Sequence, residues 1–431
     1  MNRQGQSATS VARPVIAWGL AGLALAVWTL YHLVQLWGTW PPDLAAIYVA
    51  AYLWDTGANG LIYAAPDLFF GGPPPDWADL LTRLGGPVGG AFPYIYPPVW
   101  AAILAPLTRV VSAQAFFNAG FAVQLPLVAL CVPLAHRIAG SRMHPLKWTL
   151  VSILLLEVAT PYYSAINQAQ PTILVSFLIL LALERSLSGG PRVAGVALAL
   201  AAAIKITPAV FALLFLLRRD WRALGWSAAC GAILLAADLA LGGVAANQGF
   251  LQALKGAGGM TLISPVNVSA RALIDFWLAL AAHVQILAAS NLYIFELPAG
   301  LRHLSTLLNL GLWLVLSGRI ILAARGLAER PAMLARGLAL AIGLCLFGPL
   351  GWQHYYLLPM LLLPGLAAIA PARVVAVAVF PAFLGENIFF FTGLLGAPFP
   401  PTVYLCVAVG GWIATLVLID RLVRRATTAP G

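Results

Sequence analysis

The sequence predicts an all-α fold, a polytopic membrane helix bundle with about twelve crossings (roughly eleven to thirteen). Two observations carry this. Of 431 residues, 61% are hydrophobic and only 9% charged, where a soluble domain carries about 25% charged residues. The mean hydropathy is +0.90, and the apolar residues fall into long runs without strict alternation, which excludes a barrel and leaves helices as the structure whose backbone is satisfied in lipid. The formal net charge of +10 comes from basic residues clustered between apolar runs. That is the pattern of cytoplasmic loops and not of a nucleic-acid face. Cys131, Cys230, Cys345 and Cys406 each lie inside an apolar run with no metal-like spacing, and read as small buried hydrophobes.

Residues 15–37 form the first span, retained as an anchor, with Arg3 and Arg13 holding the N-terminus in the cytoplasm. Residues 38–96 are too polar and too rich in Pro and Gly to cross. They form a long extracytoplasmic first loop holding Asp43, Asp55, Asp67, Asp76 and Asp79 among the fourteen acidic residues of the chain. Within it AYLWDTG and WADLLTRLGG read as short interfacial helices. The stretch 91–110, with four prolines, reads as a partly inserted arm, and 112–135 as the second true span. Spans at 148–164 and 171–187 are joined by the polar turn PYYSAINQAQP. Positions 192–218 then hold IKITP inside an apolar run, so two short helices meet at a kink bearing Lys205 and Pro208. After a span at 222–243, residues 244–301 form a second extracytoplasmic loop, its apolar stretch 272–290 reading as a surface or re-entrant helix. Spans near 303–324, 337–350, 354–370, 374–390 and 401–420 complete one integral-membrane domain over 1–431, and RLVRR places the C-terminus in the cytoplasm. No tandem repeat, Walker loop or HExxH motif is present.

This topology gathers polar side chains at the outer helix ends: Asp43, Gln170, Lys205, Asn267 with Arg271, and Gln353 with His354. Ionisable groups at such depth are costly and are usually functional or paired. A carboxylate base beside a cation for a phosphate, next to a lipid-accessible groove, is what sugar transfer from a phospholipid-like carrier to a hydroxyl needs. Quieter readings exist for each group. Asp43 could cap the helix that follows two prolines, Lys205 could snorkel, His354 could belong to an interfacial aromatic belt, and Gln170 could satisfy a turn. A transporter or flippase of a lipid-linked sugar needs the same groove, although only one broken helical region, IKITP, is evident where inverted repeats would supply two.

The order of motifs is familiar. Asp43, Tyr48, Gly57 or Gly60 and Ile62-Tyr63 are followed by Tyr94, Tyr96, Pro97-Pro98 and Pro106-Leu107. Then come Ala169-Gln170, Lys205 with Pro208, Asn267 with Ser269, and Trp352, His354, Leu358 and Pro359. In this arrangement the chain resembles the bacterial membrane glycosyltransferases of family 87, which include polyprenol-phosphate-mannose-dependent mannosyltransferases. Ala169 departs from the Gly of the family's Gly-Gln element. The resemblance implies the GT-C fold and an inverting transfer of mannose or another hexose or pentose from a polyprenyl-phosphate donor to a lipid or glycan acceptor. It places this at the outer face of the bacterial inner membrane. It further implies Asp43 as general base, with Lys205, and His354 or Arg271, at the carrier phosphate. Gln170, Asn267, Tyr48 and Tyr96 complete the expected substrate-binding set. No cofactor or metal is called for, since Asp43 has no sequence-adjacent acidic partner.

Overall fold

The computed structural model describes residues 5–64, 72–289, 292–396 and 399–428. Arg3 and Asp67, invoked above for orientation and loop charge, lie outside the described residues. The chain is an all-α membrane bundle. In order, its helices are α1 (Gly5–Leu36), α2 (Pro42–Asp55), α3 (Ala78–Arg83), α4 (Pro98–Leu104), α5 (Ala113–Ala139), α6 (Pro145–Val158), α7 (Thr160–Asn167), α8 (Thr172–Leu187) and α9 (Pro191–Ile204). There follow α10 (Ala212–Arg218), α11 (Trp221–Gly259), α12 (Ala270–Ala281), α13 (Ala299–Ala323), α14 (Glu329–Phe347), α15 (Leu357–Leu362), α16 (Ala372–Leu394) and α17 (Pro401–Thr428). Three short strands, β1 (Thr261–Ile263), β2 (Leu287–Ala289) and β3 (Leu292–Phe295), flank α12 and pair antiparallel in the order β1-β3-β2.

Among the described residues, seven helices are long and apolar enough to cross a membrane: α1, α5, α11, α13, α14, α16 and α17. The pair α6–α7, bent by 73°, makes an eighth if it is one span. The other expected crossings fall on shorter pieces. Residues 191–218 are two short helical runs parted at Lys205, whose backbone is extended (φ −137°, ψ 129°). Pro208 accounts for the break: it has no N–H to give the Ile204 carbonyl and its ring would clash there, so one α-helix cannot run through 204–208. The expected span 354–370 is instead a run of 3-10 turns around the six-residue α15, and Leu357–Leu366 is buried throughout by protein. Such interrupted backbone is tolerated at membrane depth only where protein or a cavity surrounds it.

Local chemistry sets the ends of the long helices. Ser112 caps α5 by accepting from the Ala115 amide, and Gly140 closes it in the left-handed region at φ 60°. Asp220 caps α11 by accepting from Ala223, and Gly243 (φ 70°) breaks that helix part-way along. α9 lies against α8 and α11, α5 against α8, and α16 against α17. Small residues allow these approaches, as is usual between helices in lipid: a Cβ on Gly411 would stand 2.2 Å from the Pro381 carbonyl oxygen.

The strand region matters for the site because it is stitched to the turn after α14. The Val268 amide donates to the Gly351 carbonyl (2.6 Å), the Gln353 amide to Val266 (3.0 Å), and the Tyr356 hydroxyl to Val268 (2.6 Å). These bonds fix the 3-10 turn Gln353–Tyr356 and hence His354 and Tyr355.

Candidate active site

Asp43 stands in the first turn of α2, just after Pro41-Pro42. Proline is pre-organised for a first helical position, so this pair fixes where the helix starts. The start is held from outside by Phe92, whose amide donates to the Pro42 carbonyl (3.4 Å), and by the Trp40 indole, which donates to the Gly90 carbonyl (2.6 Å). Gly90 and Gly86 leave room for that indole; a Cβ on Gly86 would stand 2.5 Å from the ring. Asp43 is buried, and among the described residues α2 has no side-chain cap and the Asp43 Oδ2 has no hydrogen-bond partner. The carboxylate is therefore not engaged in capping its helix. Burial pushes its acid up to about 7, while the Lys205 charge and a side-chain hydrogen bond with Gln170 pull it back.

Lys205 is the centre of a second set of groups. Its extended backbone at the break after α9 turns the side chain toward α8. There Nζ donates to Thr172 Oγ1 at 2.7 Å and to Gln170 Oε1 at 3.4 Å. The same ammonium lies 4.4 Å from the centre of the Tyr355 ring, a cation–π contact. The Tyr96 hydroxyl reaches the same Gln170 oxygen at 3.5 Å. Asp43, Lys205, Gln170, Tyr96 and Tyr355 thus form one electrostatically linked cluster drawn from five separate parts of the chain. Burial, followed by the Asp43 charge, holds the Tyr96 phenol well above its usual range, so it is a neutral hydrogen-bond donor there.

Gln170 owes its place to the turn before it. The Gln170 amide donates to Ala165 and the Ala169 amide to Ile166, both at 2.9 Å, closing α7 with Ala169 in the left-handed region at φ 47°. Gln124 holds the Ala169 carbonyl (2.9 Å). A glycine would adopt this conformation without the Cβ penalty.

From Lys205 a cavity of about 400 Å³ runs between α8, the 204–211 segment, α11 and α14. Thr172, Lys205, Tyr96 and Tyr355 make its polar end; Ile179, Phe211, Phe250, Leu254, Leu344 and Leu358 are among its apolar walls. A charged head and a long hydrocarbon tail match this lining, because the apolar length gains from burial while the cation meets the charge.

The family model of glycosyltransferase family 87 matches residues 94–349. The chain belongs to glycosyltransferase family 87. No curated protein and no solved structure matches it. The matched segment contains Tyr96, Gln170, Thr172 and Lys205, and ends before His354; Asp43 lies upstream of it.

The other residues singled out in this family-87 glycosyltransferase are placed as follows. His354 is buried next to Tyr355, with ring centroids 4.7 Å apart, and its Nε2 has no hydrogen-bond partner among the described residues. Three expected substrate-binding residues are engaged elsewhere. Tyr48 donates to the Val111 carbonyl (2.8 Å) and packs on Phe116 and Phe117, fastening α2 to α5. The Asn267 amide donates to Leu262 (2.7 Å) and accepts from the Gly351 amide (2.9 Å), holding the strands to the turn. Arg271 turns to Asp275 at 3.7 Å, one turn along α12. None of these three lines the cavity. Asp55 pairs with Arg109 through both carboxylate oxygens (2.8 and 3.0 Å), which ties α2 to the turn after α4. Thr172 and Tyr355 were missed by sequence reasoning: a lone threonine opening a helix and a tyrosine in an aromatic run carry no spacing signal.

Proposed function

We propose that this glycosyltransferase transfers a sugar from a polyprenyl-phosphate donor to a hydroxyl of a lipid or glycan acceptor, at the outer face of a bacterial inner membrane. The observation that carries the reading is the apolar cavity ending at Lys205 within the electrostatic reach of buried Asp43. In this scheme the prenyl chain lies along the leucine and phenylalanine walls. The phosphate meets Lys205 and Thr172, with Tyr355 beneath the ammonium and His354 beside it. Asp43 accepts the acceptor's proton as the acceptor oxygen bonds to the anomeric carbon. The bond from that carbon to the phosphate oxygen breaks in the same step, and the departing phosphate keeps the electron pair opposite Lys205. A single base and a single displacement invert the anomeric centre, unlike the two-carboxylate route of retaining hydrolases.

A carrier that merely moved a lipid-linked sugar would use the same cavity without a proton acceptor. The test is therefore Asp43→Asn in purified protein, assayed against a panel of synthetic polyprenyl-phosphate sugars with products analysed by mass. Transfer is expected to fall by roughly 10²–10⁴-fold, the contribution of a positioned general base, with donor binding retained. Near-normal turnover by the variant overturns the mechanism.

A further inference from the structure

A second charged cavity lies far from the Asp43–Lys205 cluster. Arg218 closes α10, at the opposite end of the 207–218 helical run from Lys205, roughly 20 Å away at 1.5 Å per residue. There Arg218, Arg325 from the turn after α13, and Arg336 from α14 line one cavity of about 320 Å³. Glu329 is the one carboxylate in that lining, and it already pairs with Arg218 at 2.5 Å. Among the described residues neither Arg325 nor Arg336 has a carboxylate partner, although the two are close enough for the Arg325 charge to act on Arg336. The Arg218 Nε is buried with no acceptor among the described residues. Three guanidiniums around one carboxylate leave excess positive charge in a partly desolvated space. Like charges held this way are costly unless an anion completes the site.

The remaining walls specify what kind of anion. Leu214, Leu217, Leu327 and Met333 line the cavity, and Leu213 and Leu216 on the outer side of α10 are exposed by 37% and 45%. An acyl chain could follow those leucines out of the cavity, whereas a free anion would leave the apolar wall unmatched. We propose that this cavity binds the phosphodiester headgroup of an anionic membrane lipid, with Arg218, Arg325 and Arg336 donating to its non-bridging oxygens. Guanidinium suits this task because its planar fork presents paired donors to phosphate oxygens, and basic pockets between membrane helices are where such headgroups are held. An adjoining cavity shares Glu329 and is lined by Arg142 and Arg330, so the surrounding field favours the same charge.

The test is native mass spectrometry of the delipidated full-length protein, titrated with phosphatidylglycerol, phosphatidylcholine or inorganic phosphate. One phosphatidylglycerol is expected to bind at least tenfold more tightly than phosphatidylcholine. Arg325→Gln, a change at an exposed side chain, should remove that preference, as should the Arg325→Gln/Arg336→Gln pair, while Arg222→Gln outside the cavity should keep it. Circular dichroism of each variant checks that the helices persist. Equal binding of the two lipids, or an unchanged preference in folded Arg325→Gln, overturns the proposal. So does displacement of the lipid by millimolar inorganic phosphate, which would make this a free-anion site.

Discussion

At the scale of single residues, Asp43 is costly to keep where it is. A carboxylate removed from water, with one oxygen unpaired, is retained against a desolvation penalty that its neighbours only partly offset. Its acid, held up at about 7, has two consequences of opposite sign. A base must be deprotonated to act, so kcat/KM should climb by up to about tenfold per pH unit as pH rises toward 7. Stability runs the other way. A folded-state value above the unfolded one near 3.8 gives stabilisation that is complete below that lower value and is lost as pH rises through about 7. Asp43→Asn should therefore melt no lower than the parent at pH 8 while losing the pH-dependent limb of whatever activity remains. A parent profile flat from pH 5 to 8 would remove Asp43 from the role of base. Asp43 and Lys205 stand out in the sequence because acids and lysines are scarce in apolar runs, and the structure buries both in one cluster. The partners of Tyr48, Asn267 and Arg271 were not legible, because sequence cannot distinguish a polar side chain awaiting a ligand from one already engaged with a backbone carbonyl or a neighbouring carboxylate.

At the scale of elements, α9, which ends just before Lys205, packs closely on α11. Gly195 is one point of close contact. A Cβ there would stand 2.5 Å from the Ala223 carbonyl oxygen, 2.5 Å from the Trp226 Cβ and 2.7 Å from the Ser227 amide nitrogen. Two of these are backbone atoms, which no rotamer change can move aside. Ser227 also donates to the Gly195 carbonyl at 3.1 Å, and Arg192 sits 5.1 Å over the Trp226 ring. Gly195→Ala should thus part the two helices, cost about 1–3 kcal/mol as overpacking does, and raise the donor KM by shifting Lys205. Gly225 is the control, because a Cβ there meets nothing within 4 Å. In a helix interior Gly225→Ala should gain up to about 1 kcal/mol from propensity alone. Thermal unfolding in detergent, read beside donor KM, checks both. If the two variants behave alike, the close approach does not hold Lys205. The kink between these short helices was readable from Pro208 in an apolar run. The crowding at Gly195 was not, since it arises only from the partner helix.

At the scale of the whole molecule, the helical membrane class followed from composition, because so few charges cannot support an aqueous surface. Crossing number was harder to read. Hydropathy windows treat 354–370 as a span, whereas the chain there is broken into turns and packed inside the bundle. Charge asymmetry makes a further prediction about orientation. Arg137, Arg142, Arg192, Arg218, Arg325 and Arg330 fall at or next to the helix junctions 137–145, 185–192, 218–221 and 324–330, while Asp43, Asp55, Asp76 and Asp79 lie between α1 and α4. Clustered arginines in short connections mark the cytoplasmic side, so the loop bearing Asp43 should face outward. Val88, fully exposed in that loop, and His144, exposed between α5 and α6, are suitable reporters. The four native cysteines all lie within helices and set the background. With a membrane-impermeant maleimide, Val88→Cys should label in intact cells, and His144→Cys only after the membrane is opened. The reverse pattern would turn the active site to the cytoplasm, where a donor would have to be presented from the inner leaflet.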